Sequence, residues 1–294
     1  MPESVTWTVA GGRVLGPAPF FVVGIGNCTP DSFYDGGRYL QQDQAVAHGL
    51  ELLQQGADMV DVGGESTRPF SQRISAQEEK GRVCPVIERI KEAAPEAMLS
   101  VDTYRAEVAR QALQAGAVVV NDVSACSLDP ELKDVLTEYQ PGYVLMHAQG
   151  RPEDMQKDPS YTDVVDEVFS FLEEGLNALV RAGLPEECVV LDPGIGFGKL
   201  LVHNLTLLAN IQSFTRLGRP LYMGLSNKSM WSKLLDVPAQ KRQNATQVGT
   251  ALSAEQGVPI HRVHEVRDTV HTLRIVQALR DHRHFQVKTE YLET

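Results

Sequence analysis

The stretch MLSVDTYRAEVARQALQAGAVVVND, residues 98–122, holds a strand, a helix and a second strand within one short span. MLSVD and AVVVND are short apolar runs that end in polar residues. Between them, Val108, Ala112 and Ala115 fall at helical spacing. Gly116 then closes the helix, because glycine adopts the left-handed cap without a Cβ penalty. A helix joining two adjacent strands makes them parallel, and the crossover between them is right-handed.

The same unit repeats outward in both directions. Further runs are FVVGIGN (21–27), DMVDVGG (58–64), YVLMH (143–147), CVVLDPG (188–194), PLYMGLS (220–226) and PIHRVHEV (259–266). With 98–103 and 117–122 they make eight. Near-continuous apolar strands are covered on both faces, as in a parallel sheet. Helical patterns occupy 43–56, 75–94, 163–181 and 266–280. In 75–94, Ser75 and Glu78 have capping-box spacing, and Pro85 should kink the helix. Eight strand–helix units in 294 residues fit an α/β fold of the (β/α)8 TIM-barrel type. No linker or low-complexity tract divides the chain, which predicts one domain over 1–294 with its core at about 20–280. TWTV and GGRVLG predict a short N-terminal hairpin, and the polar last ten residues a frayed end.

Composition narrows the function classes. The chain is 43% hydrophobic and 22% charged, ordinary for a globular protein. Its net charge of −11 disfavours nucleic acid, whose phosphates need a basic face. A small anionic substrate is still allowed, because it responds to local charge. No apolar run is long enough for a membrane span, and MPESVTWTVAGGRVLG lacks the order of a signal peptide. Cys28, Cys84, Cys126 and Cys188 have no metal or redox spacing. These features predict a cytoplasmic protein with reduced cysteines.

In a barrel of this kind the chemistry sits at the C-terminal ends of the strands. The runs end, in order, in Asn27; in Asp61, followed by a loop with Thr67 and Arg68; in Asp102; in Asn121 and Asp122; in Met146 and His147; in Asp192; in Ser226, with Lys228 beyond; and in Arg262 and His264. A barrel brings all eight ends to one cavity, whereas an open sheet does not. Arg262 and His264 are two apart and share a strand face, while His261 points the other way. They therefore suit an anion clamp better than His261 and His264 suit a metal. Asp102 and Asp192, with Asn121, are fit to read the amino–imino edge of a heterocycle such as a pterin, and Lys228 its ring carbonyl. Asn27, Thr67, Arg68, Arg262 and His264 suit phosphate oxygens. DPGIGFGK (192–199) fails the spacing of a phosphate loop, so its glycines are read as turn formers. Ser226 and Ser229 lack a His–Asp arrangement for a nucleophile. His282 and His284 read as an exposed helix end rather than a metal pair.

Ordered across residues 20–280, the motifs GNCTPDSFYDGG (26–37), GADMVDVGGESTRP (56–69), SVDTYRAEVARQALQAGA (100–117), NDVSA (121–125), MHAQGRPEDMQ (146–156), LDPGIGFGK (191–199), GLSNKS (224–229) and HRVHEV (261–266) resemble dihydropteroate synthases, of the pterin-binding barrel superfamily. The resemblance implies a transferase of folate biosynthesis. Such an enzyme condenses p-aminobenzoate with 6-hydroxymethyl-7,8-dihydropterin diphosphate, with Mg2+ assisting the departure of pyrophosphate. It implies that Asp102, Asn121, Asp192 and Lys228 hold the pterin, with Met146 packing nearby. Asn27, Arg262 and His264 would meet the diphosphate and Mg2+, aided by Thr67 and Arg68, with Asn27 on the metal. Phe33, Thr67, Pro69 and Ser229 would form the aminobenzoate pocket. Asn27, Asp102, Lys228, Arg262 and His264 would carry the catalysis. The family is commonly homodimeric, and its loops at about 28–40 and 64–75 would act as lids.

Departures from the family pattern are Asn227 for Arg, Glu265 for Asp, Cys28 for Val and Ala148 for a longer residue. Asn227 removes a positive charge from the site. That leaves open a pterin-binding paralogue without turnover. A methyltetrahydrofolate-dependent methyltransferase on the same barrel is the other alternative, which the anion-binding residues argue against.

Overall fold

The structure, a computed structural model, describes residues 4–28, 38–65, 73–150, 155 and 157–283. Phe33, Thr67, Arg68, Pro69 and His284 lie outside the described residues. Strands β1 (Val5–Val9) and β2 (Arg13–Ala18) pair antiparallel as the expected hairpin. Eight more strands follow: β3 (Phe21–Asn27), β4 (Met59–Gly63), β5 (Leu99–Asp102), β6 (Val119–Asp122), β7 (Gly142–Met146), β8 (Val189–Asp192), β9 (Tyr222–Met223) and β10 (Ile260–Val263). They lie side by side in the order β8-β7-β6-β5-β4-β3-β10-β9, and all seven pairings are parallel. A parallel bridge from Leu191 to Leu221 joins the two edges, so the sheet closes into the expected barrel. Closure removes every open edge.

Helices α1 (Arg38–Gln54), α2 (Ala76–Ala93), α3 (Ala106–Gln114), α4 (Leu132–Tyr139), α5 (Val164–Ala182), α6 (Leu201–Ala209), α7 (Ser229–Leu235), α8 (Gln243–Glu255) and α9 (Val266–Arg280) flank the strands. Ser75 caps α2 by accepting from the Glu78 N–H at 3.1 Å, while Glu78 turns its own carboxylate to Arg82. The helix runs on through Pro85 to Ala93. Asp163 caps α5 through the N–H groups of Val165 and Asp166.

Strand alternation splits the core in two. Val60, Val62, Val101, Val120 and Leu145 face the helices. Val23, Met59, Val119, Val144, Val190, Tyr222 and Ile260 fill the barrel interior, together with Val5, Trp7 and Val9 of the hairpin. Trp7 is fully buried and donates its indole N–H to the Cys188 carbonyl at 2.7 Å. The hairpin thus stops the lower mouth of the barrel and leaves the upper one for the site.

Candidate active site

The apolar interior layer sets the site by simple counting. Two residues beyond Met59, Val119, Val144, Val190 and Ile260 stand Asp61, Asn121, Met146, Asp192 and Arg262. A strand repeats every two residues, so these side chains must also point inward, one layer higher. Asn27 is four beyond Val23 and has the same parity. Asp102 sits opposite Asn121 in register and joins the ring.

Arg262 lies at the centre. Its Nε donates to Asp61 Oδ2 at 2.6 Å and its Nη2 to Asp102 Oδ2 at 2.8 Å. Asn121 Nδ2 donates to the same Asp61 oxygen at 2.9 Å. Asp61 is fully buried, and its Oδ1 has no partner. Burial works against the Arg262 cation, but the two carboxylates hold its pKa above the ordinary value. Burial also lifts Asp102 to about 7, against the pull of Arg262.

Asp192 occupies the opposite wall. Its Oδ1 accepts the Gly194 N–H at 2.7 Å, and burial raises it to about 6 against that bond and the nearby Lys228, Lys199 and Arg262. The segment after β8 turns through Gly194, Gly196 and Gly198 at φ +70°, +83° and +61°. A Cβ on Gly194 would lie 1.8 Å from the His147 carbonyl oxygen, so that turn requires glycine. The turn-forming role expected for these glycines is therefore the observed one. Lys228 places its Nζ 4.1 Å from the centre of the Phe197 ring. Burial draws its pKa down to about 8, with Asp192 opposing.

Asn27 ends β3 with its amide oxygen beside Gly63, where a Cβ would come within 3.3 Å of it. His264 lies just past β10, and its Nδ1 shares a hydrogen bond of 2.8 Å with the Ser226 hydroxyl. Asn227 Nδ2 lies 3.5 Å from the same nitrogen. Asn227 itself has φ +56°, a conformation that Asn tolerates better than most residues. Arg242 donates to its carbonyl at 2.8 Å, and its N–H donates to Thr246 Oγ1 at 3.2 Å. Met146 is buried at the end of β7, and Ser229 is exposed at the start of α7.

The expected residues Asn27, Asp102, Asn121, Met146, Asp192, Lys228, Arg262 and His264 thus gather at the upper ends of the strands. Arg262 is already committed to two carboxylates, while His264 turns to Ser226. His261 is buried and bonds the Val258 carbonyl, as its opposite parity predicts. Two groups carried no assigned role in the sequence. Asp61 was visible there only as another polar strand end. Lys199 was visible only as the last residue of a failed phosphate loop.

Among known proteins, the model of the pterin-binding enzymes matches residues 23–264. Dihydropteroate synthase of Escherichia coli strain K12 is 42% identical over 257 residues, covering 87% of this chain and 90% of the relative. A Yersinia pestis dihydropteroate synthase, solved as a sulfonamide drug complex, superposes with a TM-score of 0.88 at 39% identity, covering 94% of this chain and 100% of that one. A Xanthomonas albilineans dihydropteroate synthase, solved with 4-aminobenzoic acid, gives 0.87 at 40% identity, covering 94% and 98%. With motifs, barrel and inward-facing residues in agreement, the chain belongs to the pterin-binding enzymes and, within them, to the dihydropteroate synthases.

Proposed function

We infer that this chain transfers the dihydropterin-6-ylmethyl group from diphosphate oxygen to the amine of p-aminobenzoate, forming dihydropteroate and pyrophosphate for folate biosynthesis. The observation that carries this is the ring of two carboxylates and an amide on the inner barrel face, crossed by one guanidinium. Asp102, Asn121 and Asp192 accept from and donate to the edge of the pterin, Lys228 meets its ring carbonyl, and Met146 packs against it. Arg262 and His264, with Asn27, Thr67 and Arg68, hold the diphosphate. Phe33, Thr67, Pro69 and Ser229 receive p-aminobenzoate.

The carbon–oxygen bond to diphosphate breaks with its electrons leaving on oxygen. The amine then forms the carbon–nitrogen bond and loses a proton. Positive charge gathers on the methylene and the conjugated ring, where the carboxylates of Asp102 and Asp192 stabilise it. Arg262 receives the departing charge from a position its carboxylate partners have already fixed. Orientation and electrostatics suffice, and no protein nucleophile is required.

Mg2+ takes hard oxygen ligands and usually keeps waters while binding substrate phosphates. Among the described residues no cluster of three acidic, His or Cys side chains could cage a metal. Asn27 offers an amide oxygen at the rim. This donor set fits Mg2+ arriving with the diphosphate, held by Asn27 and substrate oxygens. Bound there, the ion would neutralise charge on the leaving group.

The molecule works as a homodimer built on one barrel domain. Val248 and Leu252 on α8, with Ile275 and Leu279 on α9, are 52–69% exposed and line a shared groove. A contiguous apolar face of that kind marks an interface. Leu252→Glu with Ile275→Glu should yield monomers in sedimentation. Among the described residues no helix is long and apolar enough to cross a membrane.

The decisive test is product formation from the pterin diphosphate, labelled p-aminobenzoate and Mg2+, followed by chromatography. Mg2+-dependent dihydropteroate is expected. Pterin binding without product would overturn the catalytic assignment and point to Asn227.

A further inference from the structure

Behind the site lies a buried cation with no part in the chemistry above. Lys199 is 2% exposed. Its Nζ bonds His147 Nδ1 at 2.8 Å, the Gly194 and Phe197 carbonyls each at 3.0 Å, and the His147 carbonyl at 3.4 Å. Three of the four partners are carbonyl acceptors, and the His147 ring nitrogen is a fourth in the tautomer that carries its proton on Nε2. An ammonium has three protons to give them, one more than a neutral amine. Aromatic rings enclose the group. The His147 ring meets Phe171 edge-on at 4.8 Å, and the Tyr161 ring centre lies 6.0 Å from Lys199 Nζ. Tyr161 also donates its hydroxyl to the Gly198 carbonyl at 2.8 Å. Three separate segments therefore meet at one nitrogen: the end of β7, the lead-in to α5 and the turn after β8.

That turn presents groups to the site on its other side. Gly194 gives its N–H to Asp192 while its carbonyl accepts from Lys199. Phe197 lies under the Lys228 ammonium while its carbonyl also accepts from Lys199. The lysine holds the backs of the two residues whose fronts orient Asp192 and Lys228.

We propose that Lys199 is a positioning residue for pterin recognition, a buried ammonium that pins the 193–198 turn to the end of β7 and so sets the Asp192 carboxylate and the Lys228 ammonium. The proposal rests on the pterin reading of the site. Burial draws the lysine down to about 7, with the Asp192 carboxylate opposing and Lys228 adding to the fall. The same surroundings hold His147 neutral, at about 3, leaving its Nδ1 free to accept.

Lys199→Met keeps the chain's bulk and removes the donors. Calorimetric titration with bare 6-hydroxymethyl-7,8-dihydropterin should show affinity weakened by about tenfold or more, the cost of charged hydrogen bonds lost. The KM for p-aminobenzoate should change by less than about twofold, since the groups the turn touches, Asp192 and Lys228, are those assigned to the pterin. Lys199→Ala should weaken pterin binding similarly and be partly rescued by n-propylammonium, which refills the slot with a cation. The wild type is titrated first. No pterin binding by the wild type would overturn the site assignment itself. Wild-type binding with unchanged affinity in a folded Lys199→Met would overturn the role of Lys199 alone. Equal losses for both substrates, no amine rescue, or loss of the fold in both variants would also overturn it, by making the residue a general structural one.

Discussion

Asp61→Ala is the sharpest test of the charge ring. The aspartate is fully buried and accepts from Arg262 at 2.6 Å and from Asn121 at 2.9 Å. Losing a bond from a charged donor costs about 1.5–3 kcal/mol and a neutral one about 1 kcal/mol. Removing one partner of a buried pair costs about 3–5 kcal/mol when the remaining charge is stranded. Arg262 is not stranded, because Asp102 still accepts from it and its side chain is 19% exposed. The unpartnered Asp61 Oδ1 also disappears, which offsets part of the loss. The balance is about 3 kcal/mol of stability. At roughly 2–4 °C per kcal/mol for a chain this large, Tm should fall by about 6–12 °C in scanning calorimetry. Asn121 and Arg262 would also lose their fixed directions, so affinity for the bare pterin should drop by about tenfold. A variant with unchanged Tm and unchanged pterin affinity would refute the reasoning, because Asp61 would then not organise the ring.

Further predictions address separate links. Asp192 and Asp102 are held at about 6 and about 7, so they accept pterin N–H bonds best once ionised. Pterin affinity should therefore rise between about pH 5 and 7 in titration calorimetry, and Asp192→Asn should flatten that rise. Their raised values mean the folded state binds more protons than the unfolded state above about pH 4. Their contribution to stability should accordingly fall as pH rises to about 7, read as Tm against pH in the free protein. Arg262→Ala should weaken the diphosphate substrate far more than the bare pterin, and equal losses would place its role elsewhere. Trp7→Ala should lower Tm by about 10 °C through lost packing while leaving pterin affinity unchanged, because it lies at the opposite mouth.

Much of this was legible in the chain. The polar ends of the apolar runs named the site residues, and the opposite parity of Arg262 and His261 is observed because a strand allows only two faces. Parity gives a face but not the neighbour across a barrel. Nothing in the sequence says that Arg262 meets Asp61, 201 residues away, before any anion. Lys199 escaped for a related reason: its partners are mostly backbone carbonyls, which have no residue identity to read. Helix α8 left no apolar stripe because its buried face is Ala245, Thr246, Gly249, Thr250, Ser253 and Ala254. A Cβ on Gly249 would come within 2.8 Å of the Trp231 ring, so close packing there selects smallness over hydrophobicity. Helix α4 spans only 8 residues, short for periodicity to register.

The stopper formed by the hairpin has a consequence for how the chain assembles. Trp7 docks on the carbonyl of Cys188, 181 residues later in synthesis. Val9 and Trp7 also press on Gly142, where a Cβ would meet both within about 3.1 Å. During translation the seat for this tryptophan does not exist until β7 and β8 have emerged. Residues made early must therefore wait in solvent while later strands build the surface they fit. Long-range closures of this kind are slow, because loop entropy is spent before any contact repays it. The hairpin is accordingly a late lock, and the interval before it engages is when the nascent barrel most needs protection from aggregation.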